Sequence, residues 1–315
     1  MSRVELKNLD KVFWPKEGFT KGDVVRYYDR MSNLILPYLR GRPMVLVRHP
    51  NGINGASFFQ KNVASIHLPS YVKTVSIRAR STGRNVRYIV CNNKATLLYL
   101  ANLGFIEMHT WGSQVRKLHC PGYMVIDLDP GGNPFAEVAA VARETRKVIA
   151  AAGGTSLVKT SGKRGIHVYV PLRPIYDFDE VRSVARLVAE VVNRRMPKLT
   201  TVSPRLSGRR KRIYLDCARN GFGQTTAAPY SLRAFARATV SAPVDWRELT
   251  GACSPARYNL RSMARRVHMR GDPWQKAMRK PNSLRKIEAS LRTMLSADKA
   301  AAVRSRAKPR IPRRR

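Results

Sequence analysis

Two carboxylates one residue apart close an apolar run in Val125-Ile126-Asp127-Leu128-Asp129-Pro130, which then enters a turn at Gly131-Gly132. Alternate residues of a strand point to one side, so Asp127 and Asp129 project together. Carboxylates held side by side repel until a cation neutralises them, and hard divalent ions are the usual partners. A lone pair of this kind is common at exposed strand ends. Here the flanking Met124, Val125, Ile126 and Leu128 argue for a buried strand. A second segment, Thr160-Ser161-Gly162-Lys163-Arg164-Gly165-Ile166-His167, supplies hydroxyls, two cations and two glycines that let backbone N–H groups approach an anion. It lacks P-loop spacing and leads into a strand rather than a helix. Alone, this loop reads equally well as a plain hairpin, and His167 as a core residue. The third segment, Arg209-Arg210-Lys211-Arg212-Ile213-Tyr214-Leu215-Asp216, delivers one carboxylate after four cations. Alone it reads as a solvated charge run. Taken together, Asp127, Asp129 and Asp216 could hold two Mg²⁺ or Mn²⁺ ions, which activate an attacking hydroxyl and stabilise a leaving pyrophosphate.

The surrounding chain is strongly cationic. Its 315 residues include 59 Lys plus Arg against 20 Asp plus Glu, a formal net charge of +39. Such a chain repels itself unless anions relieve it, and nucleic acid is the natural relief. No strongly amphipathic basic helix stands out, which disfavours an anionic membrane surface. No apolar run approaches the roughly 20 residues that span a bilayer, and the N-terminus has no signal-peptide core. Hydrophobic residues at 43% exclude wholesale disorder. Cys91, Cys120, Cys217 and Cys253 are scattered without CxxC spacing and read as reduced thiols, so a cytoplasmic, nucleoid-associated protein is expected.

The elements that must position these residues are partly legible. Thr20 precedes an amphipathic helical run from Val24 towards Leu39, expected to stop before Pro37. Residues 43–47, 71–77 and 86–90 read as strands, and Lys94 to Leu103 as a buried helix. After residue 120 the order is clearer: strand 123–128, helix 135–152, strands 156–159 and 166–170, helix 179–196 and strand 213–216. Strands and helices interleave, so the class is mixed α/β or α+β, with separate sheets expected in the two halves. A catalytic unit over 1–278 is expected, divided at about residue 120. A basic extension over 279–315 follows, expected to be partly disordered from about residue 296, where eight Lys or Arg face one Asp.

In collinear order the chain resembles the polymerase domain of the bacterial multifunctional DNA ligase D, in the archaeo-eukaryotic primase superfamily. The resemblance covers roughly residues 3 to 278. It is carried by Leu9-Asp10-Lys11-Val12-Phe13-Trp14-Pro15, Thr20-Lys21-Gly22-Asp23, Phe58-Phe59-Gln60-Lys61, Ile106-Glu107-Met108-His109-Thr110-Trp111, the Asp-Leu-Asp-Pro strand and the Ser161 loop. Tyr214-Leu215-Asp216, Thr225-Thr226-Ala227-Ala228-Pro229-Tyr230-Ser231-Leu232-Arg233 and Asp272-Pro273-Trp274 complete it. The resemblance implies an α+β fold, with a mostly antiparallel central sheet flanked by helices and an N-terminal α/β portion. It also implies metal ligation by Asp127, Asp129 and Asp216. It places Ser161, Arg164 and His167 on a nucleotide-phosphate loop, with His109, Arg209 and Arg233 around the same nucleotide. Lys11 and Lys21 fall on a pocket for the 5′-phosphate of a downstream strand. Phe58 and Phe59 fall where an aromatic ring stacks on a template base, one expected to pack inward and the other to stay available. Arg164 departs from the family, where Lys is common; the charge is kept but the donor geometry changes.

The activity so implied is template-directed nucleotidyl transfer at 5′-phosphorylated ends or gaps in bacterial non-homologous end joining. NTPs or dNTPs are the substrates, ribonucleotides are preferred, and two Mn²⁺ or Mg²⁺ ions are used. Ku and a separate ATP-dependent ligase are the implied partners. A primase that starts chains de novo, or a non-catalytic basic DNA-end-binding protein, are the competing readings.

Overall fold

The computed structural model describes residues 4–80, 82–250 and 253–306. Val12–Trp14 (β1) and Phe19–Thr20 (β2) pair antiparallel and lead into helix Lys21–Leu39 (α1). Thr20 caps that helix reciprocally: its hydroxyl accepts from the Asp23 N–H, and the Asp23 carboxylate accepts from the Thr20 N–H. The helix does not stop before Pro37. The proline sits in the last turn, where its missing N–H costs a single internal bond, and Leu39 beyond it stays buried.

Met44–Arg48 (β3), Phe58–Gln60 (β4), Lys73–Arg78 (β5), Asn85–Val90 (β6), Lys94–Asn102 (α2) and Phe105–Trp111 (β7) complete the first part. Tyr123–Asp129 (β8), Phe135–Ala151 (α3), Leu157–Thr160 (β9), Ile166–Pro171 (β10) and Phe178–Arg195 (α4) follow. Then come Thr200–Thr201 (β11), Leu206–Arg209 (α5), Ile213–Asp216 (β12), Thr225–Ala227 (β13), Pro243–Val244 (β14), Ser262–Arg270 (α6) and Leu284–Arg306 (α7).

The strands form a six-stranded sheet in the order β11-β12-β8-β10-β9-β14 and a four-stranded sheet in the order β13-β7-β3-β4. All pairings in both sheets are antiparallel except β11 with β12. The mostly antiparallel α+β architecture therefore matches the sequence expectation. One sheet per half does not. Strand β13 comes from the second half yet pairs with β7, matching Ala227 to His109. It covers an edge that β7 would otherwise leave unpaired, and so joins the two sheets.

Strands β8 and β10 divide their side chains by alternation. Met124, Ile126, Leu128, Ile166, Val168 and Val170 are fully buried in the main core, together with the apolar stripes of α3 and α4. The opposite face packs Tyr123, Val125 and Tyr169 against Trp274. Further along that face the side chains turn polar, and the site begins.

The first part of the basic extension packs on the catalytic unit. Helix α7 runs through Ser296 to Arg306; residues 307–315 lie outside the described residues. Leu284, Ile287, Leu291 and Leu295 are buried in the core at helical spacing, and the Leu295 carbonyl accepts from Arg194 of α4. Leu291→Ala is expected to destabilise the fold by about 2–5 kcal/mol, as for other fully buried leucines. Urea denaturation measures the loss. An unchanged midpoint would mean that α7 does not belong to the cooperative unit.

Candidate active site

The pairing register assembles the site. It sets Lys159 opposite His167, His167 opposite Asp127, and Asp127 opposite Asp216. Directly paired residues share a face, so β9, β10, β8 and β12 contribute one row reading Lys-His-Asp-Asp. Asp129 lies two residues along β8 on that face, paired with Tyr214. The three carboxylates singled out in the sequence are therefore neighbours, although Asp216 is far along the chain from the other two.

Their electrostatics are those of crowded anions in a nearly closed setting. Burial pushes the Asp127 carboxyl up to about 6; Arg219 opposes the rise, and Asp216 and Asp129 add to it. The His167 Nε2 lies 3.3 Å from Asp127 Oδ1. Burial, reinforced by Lys159 and Arg233, holds that imidazole well below its usual range, so the ring is neutral at pH 7. Lys159 is fully buried, donates to the Ser241 hydroxyl and is pulled well down by burial.

A cleft of about 580 Å³ opens over this row, and the basic side chains of the Ser161 loop and Arg233 line it beside the acids. Ser161, Arg164, His167, His109 and Arg233 all line this cleft with Asp127, Asp129 and Asp216. The Ser161 hydroxyl accepts from the Lys163 and Gly165 N–H groups, so it shapes the loop from within. Gly165 passes so close to β8 that a Cβ there would lie 2.5 Å from the Leu128 carbonyl oxygen. Gly162 has φ +74°, and its Cβ would strike Arg233 Cγ at 2.5 Å. Both glycines are needed for the loop to approach its neighbours.

Four polar residues absent from the sequence-based site complete the picture. Glu107 is only 3% exposed and gathers His109 Nε2 at 2.8 Å, Arg233 Nε at 3.1 Å and Lys163 Nζ at 3.3 Å. It also accepts from the Ala234 N–H at 3.1 Å. Burial alone would raise its pKa, but the His109 hydrogen bond and the Arg233 charge hold the carboxylate far below the usual range. His109, largely buried, is lowered by burial more than Glu107 raises it. The signal was present: Glu107 stands two residues before His109 on one strand, hence on one face. Lys163 lies inside the quoted loop segment and Lys159 immediately before it. Arg219 had no local signal; it follows β12 in the turn Ala218–Asn220.

Arg209 stands at the acidic end of the site. It pairs with Asp129 Oδ2 at 2.8 Å and stacks over the Tyr214 ring at 4.3 Å. The two phenylalanines differ from expectation, because neither is buried. Phe59 is 72% exposed and lines the cleft, whereas Phe58, half-exposed, lies beneath the Arg48 guanidinium. Strand β4 is an edge strand, which leaves both rings partly or largely exposed.

Lys11 and Lys21 meet at the start of α1, where the Lys21 N–H donates to the Lys11 carbonyl at 2.8 Å. Lys11 Nζ donates to Asn51 and Lys21 Nζ to the Lys7 carbonyl. Burial lowers the Lys21 pKa, followed by repulsion from Lys11 and Arg48. No carboxylate pairs with either lysine among the described residues. With the positive end of α1 added, this is a seat for an anion.

The donor set suits a hard divalent cation: three carboxylates, raised in pKa at the centre, on adjoining strands. Among the described residues, however, no three acidic, histidine or cysteine groups stand ready to ligate one. Asp129 is turned to Arg209, while Arg219 lies between the other two acids. The oxygens fit such an ion once the guanidinium groups yield.

A basic Gly-containing loop, an acidic row and a cleft in a fold of two mostly antiparallel sheets are the features of the primase-polymerase class. The family model for the LigD primase-polymerase domain matches residues 20–274. The chain belongs to that family. It is 32% identical over 281 residues to the bifunctional non-homologous end joining protein LigD of Bacillus subtilis, covering 89% of this chain and 45% of that protein. It is 34% identical over 250 residues to the multifunctional LigD of Mycolicibacterium smegmatis, covering 78% of this chain and 32% of that protein. The chain thus spans less than half the length of these curated relatives. The polymerase domain of Mycobacterium tuberculosis ligase D, solved in complex with DNA, superposes with a TM-score of 0.82 at 29% identity. That superposition covers 90% of this chain and all of the other.

Proposed function

We propose that this chain is a template-directed nucleotidyltransferase that extends or fills DNA ends in bacterial non-homologous end joining, using NTPs in preference to dNTPs. The observation that carries this reading is the cross-strand pair of Asp127 and Asp216 lining one cleft together with the basic Ser161 loop and Arg233. That cleft, about 580 Å³, leaves room for a triphosphate and its counter-ions. Asp127, Asp129 and Asp216 would hold Mg²⁺ or Mn²⁺. Those ions, when bound, supply Lewis-acid activation of a 3′-hydroxyl and charge stabilisation of the departing pyrophosphate. His109, Arg233 and Arg164 would orient the triphosphate, with Lys163 at the same wall. His167, neutral, offers a ring N–H beside Asp127 without adding charge. Phe59 presents an exposed aromatic face at the mouth of the cleft for a template base. Ku and a separate ATP-dependent ligase would complete a repair.

Primer extension on a gapped, 5′-phosphorylated duplex tests the reading, with ATP or dATP and Mg²⁺ or Mn²⁺. Extension by one or a few nucleotides is expected, strongest with ATP and Mn²⁺. Product formed from template and nucleotides without a primer would favour a de novo primase instead. DNA binding with no incorporation under any of these conditions would leave only an end-binding protein.

The anion seat makes a separate prediction. Lys11→Ala with Lys21→Ala should weaken binding to 5′-phosphorylated gaps by about tenfold or more, the worth of one or two charge-assisted hydrogen bonds. Binding to unphosphorylated gaps should change by less than about threefold. Fluorescence anisotropy on the two duplexes measures both. Equal losses would make these lysines general backbone contacts.

A further inference from the structure

One cation in the cleft does not belong to the phosphate wall. Arg219 is planted among the acids, on the turn that immediately follows Asp216. Its Nε lies 3.3 Å from Asp216 Oδ2 and 3.6 Å from Asp127 Oδ2. It therefore occupies the gap between two carboxylates on neighbouring strands, where a bridging cation would be expected. The arginine is held loosely: its side chain is 43% exposed, and no other carboxylate pairs with it among the described residues. Arg209 does the same for Asp129 but is stacked on Tyr214 and only 16% exposed, so it is the less movable partner. Arg219 also lines the cleft that holds Arg164 and Arg233, within reach of anything anionic placed there.

We propose that Arg219 is a resident counter-cation: its guanidinium closes the Asp127–Asp216 pair in the metal-free chain and passes to the nucleotide's phosphates when a divalent ion takes its place. This rests on the metal-dependent reading above. A guanidinium and a divalent ion compete for the same Asp127 and Asp216 oxygens, so ion binding is opposed by the ion pair it must break. A triphosphate in the cleft offers Arg219 a new partner and removes that opposition. By linkage, each ligand then strengthens the other by the same factor. The chain would hold ions weakly until a nucleotide arrives.

The test is Mn²⁺ binding followed by the electron paramagnetic resonance of free ion, on the whole chain, without and with a non-reactive nucleoside triphosphate analogue. Without nucleotide, Arg219→Gln should bind Mn²⁺ about fivefold more tightly than the parent, the upper range for a partly exposed ion pair. Arg219→Lys, which keeps the charge but loses the planar fork, should fall between them. Arg164→Gln removes an equal charge from the same cleft but touches neither carboxylate, and should shift affinity less than twofold. With the analogue present, the gap between the parent and Arg219→Gln should narrow to less than twofold. An unchanged affinity in Arg219→Gln, an equal gain in Arg164→Gln, or a gap that persists with nucleotide would each overturn the proposal. Those failures differ from failure of the underlying reading. In that case Asp127→Asn with Asp216→Asn would bind Mn²⁺ as well as the parent, or the parent would bind none.

Discussion

Replacing Asp127 and Asp216 together by asparagine should reduce primer extension by at least about a thousandfold in kcat/KM. The two side chains are cross-strand partners at the centre of the acidic row, and each lies beside Arg219. Asparagine keeps their size and one acceptor oxygen, so the sheet should be undisturbed, but the charge that would attract divalent ions is gone. Metal activation and charge stabilisation are worth several kcal/mol, and each 1.36 kcal/mol is a factor of ten in rate. Duplex binding should be retained or slightly strengthened, because two anions have been removed from a cationic surface. Steady-state extension beside an anisotropy titration separates these effects. Parent-like turnover in the double variant would remove the acidic row from the chemistry.

Glu107→Ala should be the most damaging single change to stability, lowering it by about 3–5 kcal/mol and the melting temperature by roughly 5–10 °C. The substitution leaves His109, Arg233 and Lys163 facing one another without the carboxylate they share, and strands the Ala234 N–H. The same residue sets part of the acid limb of stability. Its folded pKa is depressed, so the folded chain binds the proton more weakly than the unfolded chain. The stabilisation is thus complete above the ordinary glutamate value of 4.5 and is lost as the pH falls below it. Glu107→Gln keeps an acceptor for the Ala234 N–H and should fold, with a flatter stability profile below pH 4.5. Thermal melts from pH 3.5 to 7 should show that flattening. A Gln variant with the parent's acid limb would mean that another carboxylate sets it.

Motifs announced the site more clearly than they announced its arrangement. The Asp127–Asp129 strand, the Gly-containing loop before His167 and the strand ending at Asp216 were all readable, because apolar alternation and turn residues are local signals. The same locality explains the failures. Pro37 looks like a helix stop until its position in the last turn is known. The apolar residues from Leu284 to Leu295 that seat α7 on the core are masked in the sequence by the basic residues around them. One of Phe58 and Phe59 is expected to pack inward, but β4 is an edge strand and both rings stay exposed.

What the sequence alone determined was an inventory: three acids, a loop that can approach an anion, paired lysines before a capped helix, and a charge balance suited to nucleic acid. Residue type and short-range spacing are enough for that. Only the tertiary structure decided who faces whom. Strand register put Lys159, His167, Asp127 and Asp216 in one row, and β13 crossed over to bring His109 and Arg233 opposite them. It also buried Glu107 among cations and laid Arg219 between two acids. Most of these contacts join residues tens of positions apart, and pairing across strands leaves no trace in the spacing of a single chain.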